Sequence, residues 1–208
     1  MGSRTLTIDT ATSACSVALF EDGKLIANDY EEIGRGHAEK LVPMIAQLPN
    51  KGHAKQIIVN CGPGSFTGVR IGLSAAKALA MAWQAEICGY QSLHLVAAQA
   101  LNEMEHPSPV FVTMLGGHGE YFVQNFDEHG NSMDDLLSLA PEAALLNTKA
   151  KHFAGSAALS LSALTSGVTE HSVLPNAANF DLLPKTYGYL PPTPVYGRAP
   201  DAQPAQQV

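Results

Sequence analysis

Asp9 closes the strand-like run Thr5-Leu6-Thr7-Ile8 and is followed at once by Thr10-Ala11-Thr12-Ser13. An acid in front of a hydroxyl-rich turn can hold a metal-bound phosphate, or it can bond its own turn through the carboxylate. A second candidate is Gly62-Pro63-Gly64-Ser65-Phe66-Thr67-Gly68-Val69-Arg70-Ile71-Gly72, set between the β-branched run Ile57-Ile58-Val59 and the alanine-rich segment Leu73 to Trp83. Strand, glycine loop and helix in that order leave free N–H groups at the helix start, with Thr67 or Ser65 as cap. Such an end can receive a phosphate. It can equally be a tight, solvent-free turn that sets a helix on a sheet. The turn after Asp9 contains no glycine, which a phosphate-wrapping loop would favour. Asp9, Gly62, Pro63, Gly64, Ser65, Thr67 and Gly68 are therefore expected to be structural loop residues, and no cofactor is expected.

Other reactive patterns are weaker. The stretch His37-Ala38-Glu39-Lys40-Leu41 puts leucine where a second metal-binding histidine would stand one turn on, and the remaining histidines are scattered singly. There is no G-x-S-x-G elbow, and Ser65 is the nearest thing to an activated hydroxyl. Cys15, Cys61 and Cys88 are widely spaced without a C-x-x-C pair, and read as small buried hydrophobes in a reducing cytoplasm. No catalytic residue and no metal ligand is expected.

These residues need elements to position them. Thr5 to Asp9 and Cys15 to Phe20 read as strands, and Glu21-Asp22-Gly23-Lys24 as a hairpin turn into a third strand, Leu25 to Tyr30. A helix over 37–48, a strand over 56–60, a helix over 69–84 and a strand over 87–90 follow. Three antiparallel strands and then helix-linked parallel ones give a mixed sheet covered by helices. Ser92 to Met104 reads as a helix joining this lobe (4–104) to a smaller one (105–196). The second lobe opens with a strand pair, Val110 to Leu115 and Tyr121 to Phe126, around Gly116-Gly117-His118-Gly119. It then weakens into short helices and one short strand at His152-Phe153-Ala154, too small for a full repeat. The proline-rich tail from Pro191 reads as extended and partly disordered, with 197–208 flexible.

With 208 residues and 46% hydrophobic content the chain can bury a substantial core. No run approaches the roughly 18 apolar residues of a membrane span, and no apolar leader precedes the first strand. A net charge of −7 without a basic cluster disfavours direct nucleic-acid binding.

Leu6-Thr7-Ile8-Asp9-Thr10-Ala11-Thr12-Ser13-Ala14-Cys15-Ser16-Val17-Ala18-Leu19, together with the glycine string and His37-Ala38-Glu39-Lys40-Leu41-Val42-Pro43-Met44-Ile45, resembles the TsaB (YeaZ) family. The likeness is dense over residues 4–99 and thin afterwards. It implies an α/β, actin-like (ASKHA, ribonuclease-H-like) two-lobed fold with mixed sheets, the second lobe reduced. It also implies a part in making threonylcarbamoyladenosine on tRNA, as a non-catalytic paralogue that activates a TsaD-type catalytic subunit. A TsaE-type ATPase in the complex, indirect contact with tRNA, a homodimer as alternative pairing, and a cytoplasmic location complete the expectation. Family members usually carry an Asp-Ala-Arg-like sequence where this chain has Met114-Leu115-Gly116. The rival is an enzyme, an actin-like nucleotide hydrolase or glycoprotease-like peptidase.

The two first-lobe helices carry the remaining hint. Leu41, Ile45 and Leu48 make one apolar face, and Ala75, Ala76, Ala78, Ala80 and Ala82 allow close helix packing. Either these residues bury against their own sheet or their outward faces pair with a related subunit. The resemblance favours pairing, through His37, Leu41, Val42, Ile45, Arg70, Leu73, Ala76, Lys77 and Ala80.

Overall fold

The computed structural model describes residues 2–197. Strands β1 (Arg4–Asp9), β2 (Ala14–Glu21) and β3 (Lys24–Glu32) form an antiparallel meander. Helix α1 (His37–Gln47) leads to β4 (Gln56–Asn60), helix α2 (Phe66–Trp83) to β5 (Glu86–Tyr90), and helix α3 (Ser92–Glu103) leaves the lobe. The sheet order is β3-β2-β1-β4-β5, with β1, β4 and β5 parallel. One-residue alternation sends Leu6 and Ile8 of β1, with Val17 and Leu19 of β2, into a core shared with Leu41, Met44 and Ile45 of α1 and Val69, Leu73, Ala76 and Ala80 of α2. Both helices thus lie on one face of the sheet, held by their apolar stripes.

The second lobe repeats this plan. β6 (Val110–Gly117), β7 (Glu120–Phe126) and β8 (Leu137–Leu139) are antiparallel. Helix α4 (Pro141–Asn147) precedes β9 (His152–Ala154), and α5 (Ala158–Ser162) precedes β10 (Thr169–His171). The order β10-β9-β6-β7-β8 is the first sheet's order read from its other edge, and β9 and β10 run parallel to β6. Every strand of the first lobe has a counterpart, which corrects the expectation of an incomplete repeat. The lobe is reduced by shortening: three of its strands have three residues each, too short to show a hydrophobic period in the sequence. Two packed α/β lobes of this topology make the actin-like fold.

The chain does not stay in the second lobe to residue 196. A short 3₁₀ turn, Ala177–Leu182, returns to the first sheet: Thr7 Oγ1 donates to the carbonyl of Ala177 at 2.9 Å, and the Ala177 N–H donates to Ser16 Oγ at 3.0 Å. Leu190 then exchanges two backbone hydrogen bonds with Gly89 at the edge strand β5, and the Val195 N–H donates to the Cys61 carbonyl at 2.8 Å. The segment from Pro191, expected to be extended and partly disordered, is bound to the first lobe through Val195. Of the tail, 198–208 lie outside the described residues. Among the described residues, no helix is long and apolar enough to cross a membrane.

Candidate functional site

Strands β1 and β4 are parallel neighbours, paired from Thr5↔Gln56 to Ile8↔Val59, so Asp9 and Asn60 emerge side by side at the same sheet edge. β5 brings Tyr90 to that edge beside Asn60. The ends of parallel strands are where α/β sheets gather functional groups. Here the three side chains bond one another. Asp9 Oδ2 accepts from Asn60 Nδ2 at 2.6 Å and from the Tyr90 hydroxyl at 2.7 Å, while Oδ1 accepts from the Ala11 N–H at 3.0 Å. Asn60 Oδ1 in turn accepts from the Gly62 N–H at 2.7 Å and from Ser92 Oγ at 3.0 Å. All four side chains are buried.

Burial dominates the electrostatics. Desolvation raises the Asp9 pKa from 3.8 to about 6, against three donors that favour the carboxylate. The Tyr90 phenol is pushed well above its ordinary value by burial and by the charge of Asp9. Asp9 does bond its own turn, through Ala11, as expected. Asn60, Tyr90 and Ser92 were missed in the sequence. The available signal was positional: a polar residue stands at the end of each parallel strand.

The glycine loop takes the tight-turn course. The Ser65 N–H donates to the Ala11 carbonyl at 2.7 Å, and Thr10 Oγ1 donates to the Gly68 carbonyl at 2.7 Å. A Cβ on Gly64 would fall 3.0 Å from the Ala11 carbonyl carbon, and one on Gly72 would fall 2.5 Å from Thr10 Oγ1. One on Gly68 would overlap the Thr10 carbonyl oxygen. The glycines are there because the β1–β2 turn lies against the loop. Ser65, not Thr67, caps α2, accepting from the Gly68 N–H at 3.2 Å. Pro63 is buried and Thr67 exposed.

Between the lobes lies a cleft of about 1140 Å³, walled by the β1–β2 turn, the starts of α1 and α2, and the β6–β7 turn. In the second lobe the ladder register aligns Thr113 with Asp9 and Gly155 with Asn60, each one step beyond the last parallel pair. Thr113 is buried, and its hydroxyl finds no hydrogen-bond partner among the described residues. At the cleft mouth Arg70 stacks 3.5 Å above the Phe66 ring and donates to the Tyr196 hydroxyl at 2.9 Å.

The residues expected at a subunit interface divide sharply. Leu41, Ile45, Leu73, Ala76 and Ala80 belong to the chain's own core. His37 is buried too, its Nε2 3.1 Å from the Ala14 carbonyl oxygen. These six cannot present side chains to a partner, because the stripe that gave the helical period is the stripe the sheet needs. Val42, Arg70 and Lys77 are exposed. The outward faces also carry two large apolar residues not singled out in the sequence, Phe66 (59% exposed) and Met81 (87% exposed).

Comparison with known proteins agrees with this architecture. Residues 30–171 match the family model described as TsaD, tRNA N6-adenosine threonylcarbamoyltransferase. The chain is 39% identical over 102 residues to the tRNA threonylcarbamoyladenosine biosynthesis protein TsaB of Escherichia coli K12, covering 47% of this chain and 44% of that protein. It is 32% identical over 116 residues to TsaB of Bacillus subtilis 168, covering 53% and 51%. The chain spans about half the length of the curated relatives it matches. Among solved structures, YeaZ from Pseudomonas aeruginosa superposes with a TM-score of 0.74 at 28% identity, covering 86% of this chain and 90% of that one.

Proposed function

Because the chain belongs to the TsaD family, and within it stands with the TsaB (YeaZ) proteins, we propose that it works as a non-catalytic partner of a TsaD-type subunit in threonylcarbamoyladenosine synthesis on tRNA. The observation that carries this reading is the outward face of α1 and α2. Val42 and Met81 are 58% and 87% exposed on helices whose other faces are fully committed to the core. Large apolar side chains left outside the core favour a protein partner over solvent. Partnership would act by holding the catalytic subunit in its active arrangement, a shift in population rather than a donated group. The net charge of −7 suits a role in which the partner makes the main tRNA contact.

The test is association with a TsaD-type subunit, measured by sedimentation. Val42→Glu and Met81→Glu should each weaken the complex at least tenfold while leaving the melting temperature within a few degrees of the parent. Leu41→Glu, one position from Val42 but in the core, should instead unfold the chain. Unchanged association in both surface variants would end the proposal. The interlobe cleft favours a second reading, a nucleotide hydrolase. Calorimetry with ATP and magnesium separates the two: micromolar binding, with turnover abolished by blocking the cleft, would support the hydrolase.

A further inference from the structure

We propose that His152 and His171 form a binding site for a divalent first-row transition metal of the zinc class, at the edge of the second lobe and remote from the α1–α2 face. His152 opens β9 and His171 closes β10, and the parallel register Thr169↔His152 and His171↔Ala154 sets them two positions apart on the same face of the sheet. Their ring nitrogens approach directly: His152 Nδ1 lies 3.1 Å from His171 Nε2. Two nitrogens bound to one zinc at about 2.0–2.1 Å, at a near-tetrahedral angle, stand about 3.3 Å apart. The two nitrogens share a hydrogen bond, and a zinc ion that displaces its proton would find them at nearly chelating separation.

A second feature points the same way. The other nitrogen of His171, Nδ1, lies 3.9 Å from Glu103 Oε2, at the end of α3. A carboxylate on the far side of a metal-binding imidazole is its usual support, and at 3.9 Å Glu103 stands beyond hydrogen-bond reach but close enough to move in when an ion binds.

The backbone beneath both rings is fixed. The Thr169 N–H donates to the Lys151 carbonyl at 2.8 Å, and the Gly155 N–H donates to the His171 carbonyl at 3.0 Å. The His171 side chain keeps 13% of its surface exposed at the edge strand. Among the described residues no group of three or more His, Cys, Asp or Glu side chains converges on one point, so water would fill the remaining coordination positions. A bound ion would pin the three-residue edge strand β10 to β9, and would stabilise the fold because the unfolded chain does not hold the two rings together.

The experiment titrates the full, tag-free chain with zinc chloride and with nickel chloride, following heat and melting temperature. One equivalent should bind saturably below about 100 µM and raise the melting temperature. His152→Ala and His171→Ala should each abolish that binding, and Glu103→Gln should weaken it about tenfold. Proton NMR of the native chain gives a readout that does not depend on the variants: zinc should shift the ring signals of His152 and His171 before those of the exposed His53, His106, His118 and His129. Absence of saturable binding, survival of binding in both alanine variants, or earlier shifts at the exposed histidines would overturn the proposal.

Discussion

Gly64→Ala places one methyl group where the glycine loop meets the β1–β2 turn. The new Cβ would stand 3.0 Å from the carbonyl carbon of Ala11, 3.2 Å from its Cβ, and nearer still to its carbonyl oxygen. All the crowding atoms at the Ala11 carbonyl are backbone, so no flexible side chain can swing aside. Gly64 does not lie in the left-handed region, so the cost is steric rather than torsional. Overpacking of this kind costs about 1–3 kcal/mol. Separating the two segments also removes the hydrogen bond from the Ser65 N–H to the Ala11 carbonyl, about 1 kcal/mol. Against this, replacing glycine by alanine restricts the unfolded chain and returns about 0.4–1 kcal/mol. The net expectation is a loss of about 1–3.5 kcal/mol. For a chain of this length each kcal/mol lowers the melting temperature by about 2–4 °C. Differential scanning calorimetry should therefore show a fall of about 2–14 °C. A melting temperature within 1 °C of the parent would refute the packing argument. An unchanged melting temperature together with lost binding of a phosphate ligand would make the segment a ligand loop.

Two buried groups should give opposite pH dependences over one range. The folded Asp9 carboxyl titrates at about 6 against 3.8 for the free group, so the folded state holds the extra proton between those values. Its contribution is complete below about 4 and lost as pH rises through 6, about 3 kcal/mol in all. Asp9→Asn should remove that slope from chemical denaturation measured between pH 4 and 7; a slope unchanged by the substitution would contradict it. His94 lies against the rings of Phe126 and Tyr187, neither nitrogen finding a hydrogen-bond partner among the described residues, and burial lowers its pKa from 6.5 to about 4. Here the unfolded state takes the proton first, so stability present above 6.5 is lost as pH falls towards 4, again by about 3 kcal/mol. His94→Phe should flatten that acid limb without loss at pH 7, since the ring's polar atoms have no hydrogen-bond partner among the described residues. A large loss at pH 7 would show that the imidazole is bonded after all.

The first lobe was legible because its elements are long. β2 and β3 run to eight and nine residues around the Asp22-Gly23 turn, and α2 to eighteen, so each is long enough to carry its own pattern and punctuation. The sequence alone also determined that the glycine string joins a strand to a helix. It left open what the string does, because a phosphate and a neighbouring backbone demand the same residue. Only the tertiary structure decided that point, by laying Thr10 and Ala11 across Gly64, Gly68 and Gly72. The same holds for Asp9, whose partners Asn60 and Tyr90 are 51 and 81 residues away and meet it only through the parallel register of three strands. It holds for the helices as well: periodicity shows that α1 has an apolar face, but not whether a sheet or a second subunit covers it. The first sheet takes Leu41 and Ile45, and Val42 is left outside. The second lobe's repeat was legible in its opening strand pair and the short strand at 152–154, whereas β8 and β10, three residues each, hold too few side chains to show a period. Its topology is set by hydrogen-bonded pairing between distant segments, which leaves no local trace in residue order.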